Sequence, residues 1–161
     1  MTQNELSQSL GGLIRAILGA GAIVGAMDAV AASVYAYVLR GGTPASVFRY
    51  VASGVFGQPA LSAGGGMAAL GLMFHFIVAI GWTGLYFVLA PKLRGWSGNM
   101  IANGVIYGFL VWLAMNLVVV PLSNASPRPI QFTAPTVIMI LIHLFVIGVP
   151  ISYLAQRYYA R

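Results

Sequence analysis

Three ionisable side chains stand inside long apolar runs: Asp28, His75 and His143. A charge in hydrocarbon is costly, so such groups face a bundle interior, pair with one another, or are kept for function. Imidazole exchanges a proton near neutrality, and a desolvated carboxylate beside it can take part in the same exchange. The trio therefore fits a proton relay or proton sensor. Two histidines and a carboxylate also match a transition-metal ligand set, with no HxxH or HxxxH pair to strengthen it. Two histidines on facing helices are the minimum for holding haem. The plainest role is structural, with each polar group satisfied by one interhelical hydrogen bond. All four readings stay open at this point, and metal and cofactor are unassigned.

The elements that must carry these residues are apolar runs of about 20 residues or more, the length needed to cross a bilayer. They cover Leu13–Leu39, Met67–Ala90, Met100–Val120 and Ala134–Leu154. A cleaved leader is the competing reading of the first run. The preceding MTQNELSQSLGG is polar and contains an acid, and the run is far longer than a leader core, so a span is expected. Breaks follow at Arg40-Gly41-Gly42-Thr43-Pro44, at Pro91 to Trp96, and across the proline-rich stretch Pro121–Pro135. Tyr158 and Tyr159 follow the fourth span as expected interface anchors. At 1.5 Å per helical residue, Asp28 lies roughly 18 Å from Arg40, His75 roughly 12 Å from Met67 and His143 roughly 14 Å from Ala134. All three depths are counted from the same side. Asn116 joins this polar cluster from the third span, nearer that side.

Between the first two spans, TPASVFRYVASGVFG reads as a short amphipathic helix over residues 44–56. Thr43 suits the N-cap and Pro44 the first helical turn. Val47, Phe48, Val51, Ala52 and Val55 share one side, and Ser46, Arg49 and Ser53 the other. Such a helix lies on the membrane surface or caps the bundle. Gln58–Gly66, with Pro59 and three consecutive glycines, reads as a flexible re-entry.

Helices in lipid associate through close backbone contact and polar side chains. Gly21 and Gly25 form one GxxxG pair and Gly104 and Gly108 another. Asp28, Ala32 and Tyr35 continue the face of the first pair, so Asp28 should point into the bundle. Pro150 should kink the fourth span and free the carbonyl of Val146. Ala26-Met27-Asp28 is echoed by Ala114-Met115-Asn116, the pattern that a duplicated hairpin would leave.

The composition agrees. Of 161 residues, 60% are apolar and 6% are charged, with no cysteine, and the net charge is +6. Mean hydropathy is +0.90. These values exclude a soluble enzyme, a disordered chain and a disulfide scaffold. The cations are dispersed along the chain rather than gathered into a basic patch, so nucleic acid is not an expected partner. With four spans, Arg15, Lys92, Arg94, Arg157 and Arg161 fall on one side and Arg40, Arg49 and Arg128 on the other. Five against three places both termini in the cytoplasm by the positive-inside rule. No catalytic residue is assigned and no enzyme is expected, since there is no GxSxG, no Walker loop and no second buried carboxylate.

The stretch from His75, HFIVAIGWTGLYFVLAPKLRGWSGNMIANG, resembles YagU-like proteins, small bacterial inner-membrane proteins of a domain-of-unknown-function family. PKLRGWSG is the most specific part, and LIHLFVIGVP places its histidine similarly. MNLVVVPLS is similar to bacterial four-span hypothetical proteins. The resemblance covers roughly Leu70 to Arg157, and Asp28 departs from it. It implies a bacterial inner-membrane location and no particular activity.

The expected fold is all-α, an integral membrane four-helix bundle with an amphipathic connector helix after the first span. Short second and third loops make successive spans antiparallel neighbours. The expected function is a proton- or cation-responsive transport or channel-like role around the Asp/His cluster. The alternatives are a non-catalytic scaffold or partner subunit, and a haem- or metal-binding protein. Expected partners are the lipid bilayer and a second copy or membrane subunit.

Overall fold

The structure, a computed structural model, describes residues 3–93, 99–126, 131 and 133–160. Helix α1 covers Gln3–Arg40, α2 Pro44–Phe56, α3 Pro59–Ser62, α4 Gly65–Leu93 and α5 Met100–Ala114. A π-helical segment, Met115–Val119, joins α5 to α6, Val120–Leu122. Helix α7, Ala134–Ile142, passes through a second π-helical segment, His143–Gly148, into α8, Val149–Tyr159. The third and fourth rods are thus each continuous. The fold is an all-α four-helix bundle, and its long helices Leu10–Arg40, Gly65–Lys92, Met100–Leu122 and Ala134–Tyr159 are long and apolar enough to cross a membrane.

The outer surface has the polarity that lipid requires. Ile23, Val30, Val34, Ile77, Val88, Leu110 and Phe145 are all exposed, whereas Ser53, Thr83 and Ser152 are buried. An apolar surface this extensive exceeds what a water-soluble monomer carries.

Several expected boundaries move. The polar stretch before the first span is helical from Gln3 onward, and Pro121 lies inside a helix instead of opening a loop. Gly65 and Gly66 begin α4, and the short helix α3 fills much of the expected flexible re-entry. Tyr158 and Tyr159 lie within or beside the packed end of α8. Both pack against Phe87, and the Tyr159 hydroxyl donates to the Phe87 carbonyl at 2.8 Å, so they brace the bundle itself. Arg94, Trp96, Arg128 and Arg161 lie outside the described residues.

Both GxxxG pairs lie at helix crossings. Cβ atoms at Gly21 and Gly25 would meet Ile80, Phe76 and Ala79 of α4 within 3.1 Å. A Cβ at Gly104 would lie 2.6 Å from the Val149 Cα, and one at Gly108 would strike the His143 carbonyl. Gly148 answers from the other side, against the Gly104 carbonyl. The close-packed pairs are therefore α1 with α4 and α5 with the fourth rod. Successive helices α4 and α5 are neighbours too, but they meet through aromatic side chains. Tyr86 and Tyr107 meet edge to face at 4.7 Å, and the Tyr107 hydroxyl donates to the Trp82 carbonyl at 2.6 Å. Trp82 Nε1 donates to the Met115 sulfur at 3.4 Å.

The dry core fills the end of the bundle that carries both termini. Ala20, Val24, Tyr86, Phe87, Val111, Ile147, Ile151 and Ala155 form it. Within it the Tyr86 hydroxyl donates to Ser152 at 2.7 Å, and Ser152 donates to the Met100 carbonyl at 2.9 Å.

Helix α2 occupies the opposite end. Thr43 and Ser46 form a reciprocal capping box, and Gly57, at φ 69°, ends the helix. It docks on α4 where Gly71 lacks a side chain, with the Phe48 carbonyl against that glycine. This is the capping arrangement, with one correction to the expected polar side. Ser53 is 1% exposed, its hydroxyl satisfied by the Tyr50 carbonyl at 2.6 Å, while Val55 is exposed. The end of α2 is tied to the loop after α6. Asn124 donates from its backbone to the Gly54 carbonyl and from Nδ2 to the Val55 carbonyl, each at 2.9 Å. Gln58 bonds to Ser126 beside them.

Candidate functional site

Asp28 and His75 come together across the α1–α4 crossing. His75 Nε2 lies 3.9 Å from Asp28 Oδ2, with the side chains 12% and 20% exposed respectively. The glycine contact at Gly25 permits this, because it brings the α1 backbone within reach of the imidazole. His75 Nε2 is 2.9 Å from the Gly25 carbonyl. A carbonyl only accepts, so Nε2 carries the proton and donates. The carboxylate is beyond hydrogen-bond length from that nitrogen, whose one N–H is given to the Gly25 carbonyl.

His143 approaches from the fourth rod. Its Nδ1 donates to the Met139 carbonyl at 2.9 Å. Asp28 lies within coulombic range of both imidazoles. The two histidines are thus built alike. One nitrogen of each is fixed as a donor to backbone, which leaves His75 Nδ1 and His143 Nε2 to receive a second proton. Neither has a hydrogen-bond partner among the described residues. Phe48 of α2 and Phe76 of α4 meet the His75 ring edge to face at 5.9 and 5.7 Å.

A cavity of about 530 Å³ opens beneath α2. Ala32, Tyr35, Ala36 and Arg40 line it from α1, Val47, Tyr50 and Val51 from α2, and Trp112, Asn116, Thr136 and Met139 from the third and fourth rods. Asn116 is therefore not in contact with the Asp–His pair. Its Nδ2 donates to the Trp112 carbonyl at 2.9 Å, one turn back on its own rod, and it belongs to the cavity wall.

The site lies between that cavity and the core. One turn from Asp28 toward the termini is Val24, at 1% exposure, and one turn the other way is Ala32 in the cavity wall. His143 repeats the pattern, with Ile147 in the core and Met139 in the wall. The ionisable residues thus sit at the floor of the open half and the roof of the sealed half.

The two π-helical segments went unrecognised in the sequence, although proline gave the signal. Val120 N–H bonds to the Met115 carbonyl and Val149 N–H to the Leu144 carbonyl, both five residues back, and Pro121 and Pro150 follow immediately. Proline lacks an N–H and crowds the carbonyl four residues earlier, so a widened turn just before it relieves both problems. The expected disturbance at Pro150 takes this form. One segment holds Asn116 and the other begins at His143.

Among the described residues no three His, Asp or Glu side chains converge closely enough to hold a metal ion. Neither histidine lines the cavity, so that space offers no axial ligand to a haem. Gly25 and Ala79 pack at the α1–α4 crossing, and Gly108 against the His143 backbone, so the glycine pairs serve to position the histidines. No family model matches the chain, and no curated protein or solved structure is significantly similar to it.

Proposed function

We propose that the protein is a multi-pass protein of the bacterial inner membrane, with both termini cytoplasmic, in which Asp28, His75 and His143 bind and release protons reached through the cavity beneath α2. It is not an enzyme on this reading. The observation that carries it is the Asp28–His75 pair at 3.9 Å, on the boundary between an open cavity and a dry core. Pure packing requires neither two histidines with a spare nitrogen nor a carboxylate that has no hydrogen bond among the described residues, one turn from the cavity wall. Protons are favoured over metal cations because, among the described residues, no three His, Asp or Glu side chains gather closely enough to hold a metal ion. Four long helices are few for a transporter, so a proton path through the sealed half calls for an oligomer or a conformational change. The YagU-like resemblance supports the location and adds no activity.

A scaffold or partner-subunit role has one observation in its favour. Gly19, Ala22 and Ala26 form an exposed small-residue stripe on α1, which a second helix could approach closely.

Proteoliposomes loaded with a pH-sensitive dye decide between them. Under an imposed membrane potential the wild type is expected to pass protons. Asp28→Asn and His75→Ala should abolish the signal while melting in detergent like the wild type. A silent wild type, or variants that lose stability and keep the flux, would remove the proton reading.

A further inference from the structure

We propose that the cavity beneath α2 is a binding site for an anionic amphiphile, with its acidic head on the Arg40 guanidinium and its apolar tail along the walls formed by Val47, Val51, Val120 and Met139. The site is distinct from the proton-binding residues and does not depend on their role.

The cavity has the size and lining of a ligand site. At about 530 Å³ it falls within the range of small-molecule pockets, which are mostly apolar with a few placed polar groups. Taking roughly 30 Å³ for each water-sized group, it holds on the order of 18 non-hydrogen atoms. A single-chain carboxylate fits that space, as does a phospholipid headgroup with the first part of one acyl chain. A whole two-chain lipid does not.

The sign of the ligand follows from charge. Arg40 donates from Nη2 to the Tyr35 hydroxyl at 3.3 Å, and its guanidinium lies 5.6 Å from the centre of the Tyr35 ring. Both contacts orient the group and neither neutralises it. The chain cannot supply an acid for this purpose, because its only two are Glu5 and Asp28. Along α1 they lie roughly 52 Å and 18 Å from Arg40. A guanidinium held on an aromatic face, beside an apolar cavity and without a carboxylate, is suited to an external carboxylate or phosphate, which it can grip in bidentate fashion. A second guanidinium borders the same wall. Arg49 donates from Nη1 to the carbonyl of Leu61, a lining residue, at 3.3 Å, and its buried Nε has no acceptor among the described residues. Ser46, Tyr50, Asn116 and Thr136 add uncharged hydrogen-bonding groups to the lining, which fits a ligand with one charged end.

Trp112 lines the cavity and gives a direct readout. Purified full-length protein in nanodiscs of uncharged lipid is titrated with bromine-labelled dodecanoate, and the quenching of tryptophan fluorescence is followed. Saturable quenching that disappears in Trp112→Phe is expected. Arg40→Gln should weaken the affinity about tenfold, the scale of one lost charge-assisted contact. Arg40→Lys keeps the charge and should retain most of the binding, which separates loss of the head contact from misfolding. Nanodiscs carrying a brominated anionic phospholipid form the second arm. Arg40-dependent quenching by the free acid alone identifies a free carboxylate as the occupant, and the same behaviour with the phospholipid identifies a membrane headgroup. Either result supports the site. Non-saturable quenching, equal quenching by the uncharged bromododecanol, or an unchanged affinity in Arg40→Gln overturns it. No proton gradient is present, so the outcome is independent of any proton step at Asp28.

Discussion

Replacing Gly104 by alanine tests how the third and fourth rods are held together, and its size follows from the contact. A Cβ built at Gly104 lies 2.6 Å from the Val149 Cα and 2.9 Å from the Val149 nitrogen, whereas ordinary van der Waals contact begins at 3.4 Å. The obstructing atoms are backbone, so no side chain can rotate away. The rods must separate by about 0.8 Å, the difference between 3.4 and 2.6 Å. A gap of 0.5–1 Å forfeits roughly a quarter to a half of each dispersion contact across it. Overpacking at this level costs about 1–3 kcal/mol. The control is Gly81→Ala, where a new Cβ meets nothing within 4 Å. There the gain in helix propensity should stabilise by up to about 1 kcal/mol. Reversible unfolding of the purified protein in mixed micelles measures both. The same midpoint for the two variants would refute the backbone contact between Gly104 and Val149. Gly104→Ala combined with Gly108→Ala should cost less than the sum of the single changes, because one displacement accommodates both.

Two further outcomes follow from other contacts. Asn124→Ala removes one bond from the latch on α2, so amide exchange at the end of α2 should accelerate while the four long helices keep their protection, with a stability loss of about 1 kcal/mol. Pro150→Ala restores a backbone donor and removes the reason for the π-helical segment. The turn should relax toward α-helical spacing and rotate His143 relative to α8. Ring NMR signals of His143 should then cease to respond to Asp28→Asn, and a response that persists would show that proline does not set the register there.

Most of the bundle was legible in the sequence because in lipid a span announces itself by length and apolarity alone. The connector was equally plain, since Thr43, Pro44 and Gly57 mark both of its ends. The glycine pairs were visible as motifs, but their partners were not. Nothing local in Gly104 says that Gly148 answers it, and Gly71 is an unremarkable glycine until the Phe48 carbonyl of α2 is set against it. Depth counted in residues brought Asp28, His75 and His143 to one level. It put Asn116 nearer the connector side, and there Asn116 lines the cavity, on the widened turn that begins at Met115. The tripeptide echo has no structural counterpart. Asp28 lies three residues after the second glycine of its pair and Asn116 eight after the second of its own, so the two do not occupy equivalent places at their crossings.

The division of the bundle into sealed and open halves follows from where its bulk is placed. Gly21 and Gly25 draw α1 onto α4, and Gly104, Gly108 and Gly148 draw the third rod onto the fourth. Contact between the two pairs is looser than within each, which leaves a gap between them to be filled. At the terminal end Tyr86, Tyr107 and Phe87 fill that gap with rings whose hydroxyls find partners on neighbouring elements. At the other end a cavity remains, with Ala32, Ala36, Val120 and Met139 among its lining. Helix α2, docked on α4 at Gly71, covers the gap without filling it. A carboxylate placed midway along α1 then lies where the core gives way to the cavity, one turn from Val24 and one turn from Ala32. Asp28 is at that position, and the two histidines that reach it come from the two rods flanking α1, one from each pair.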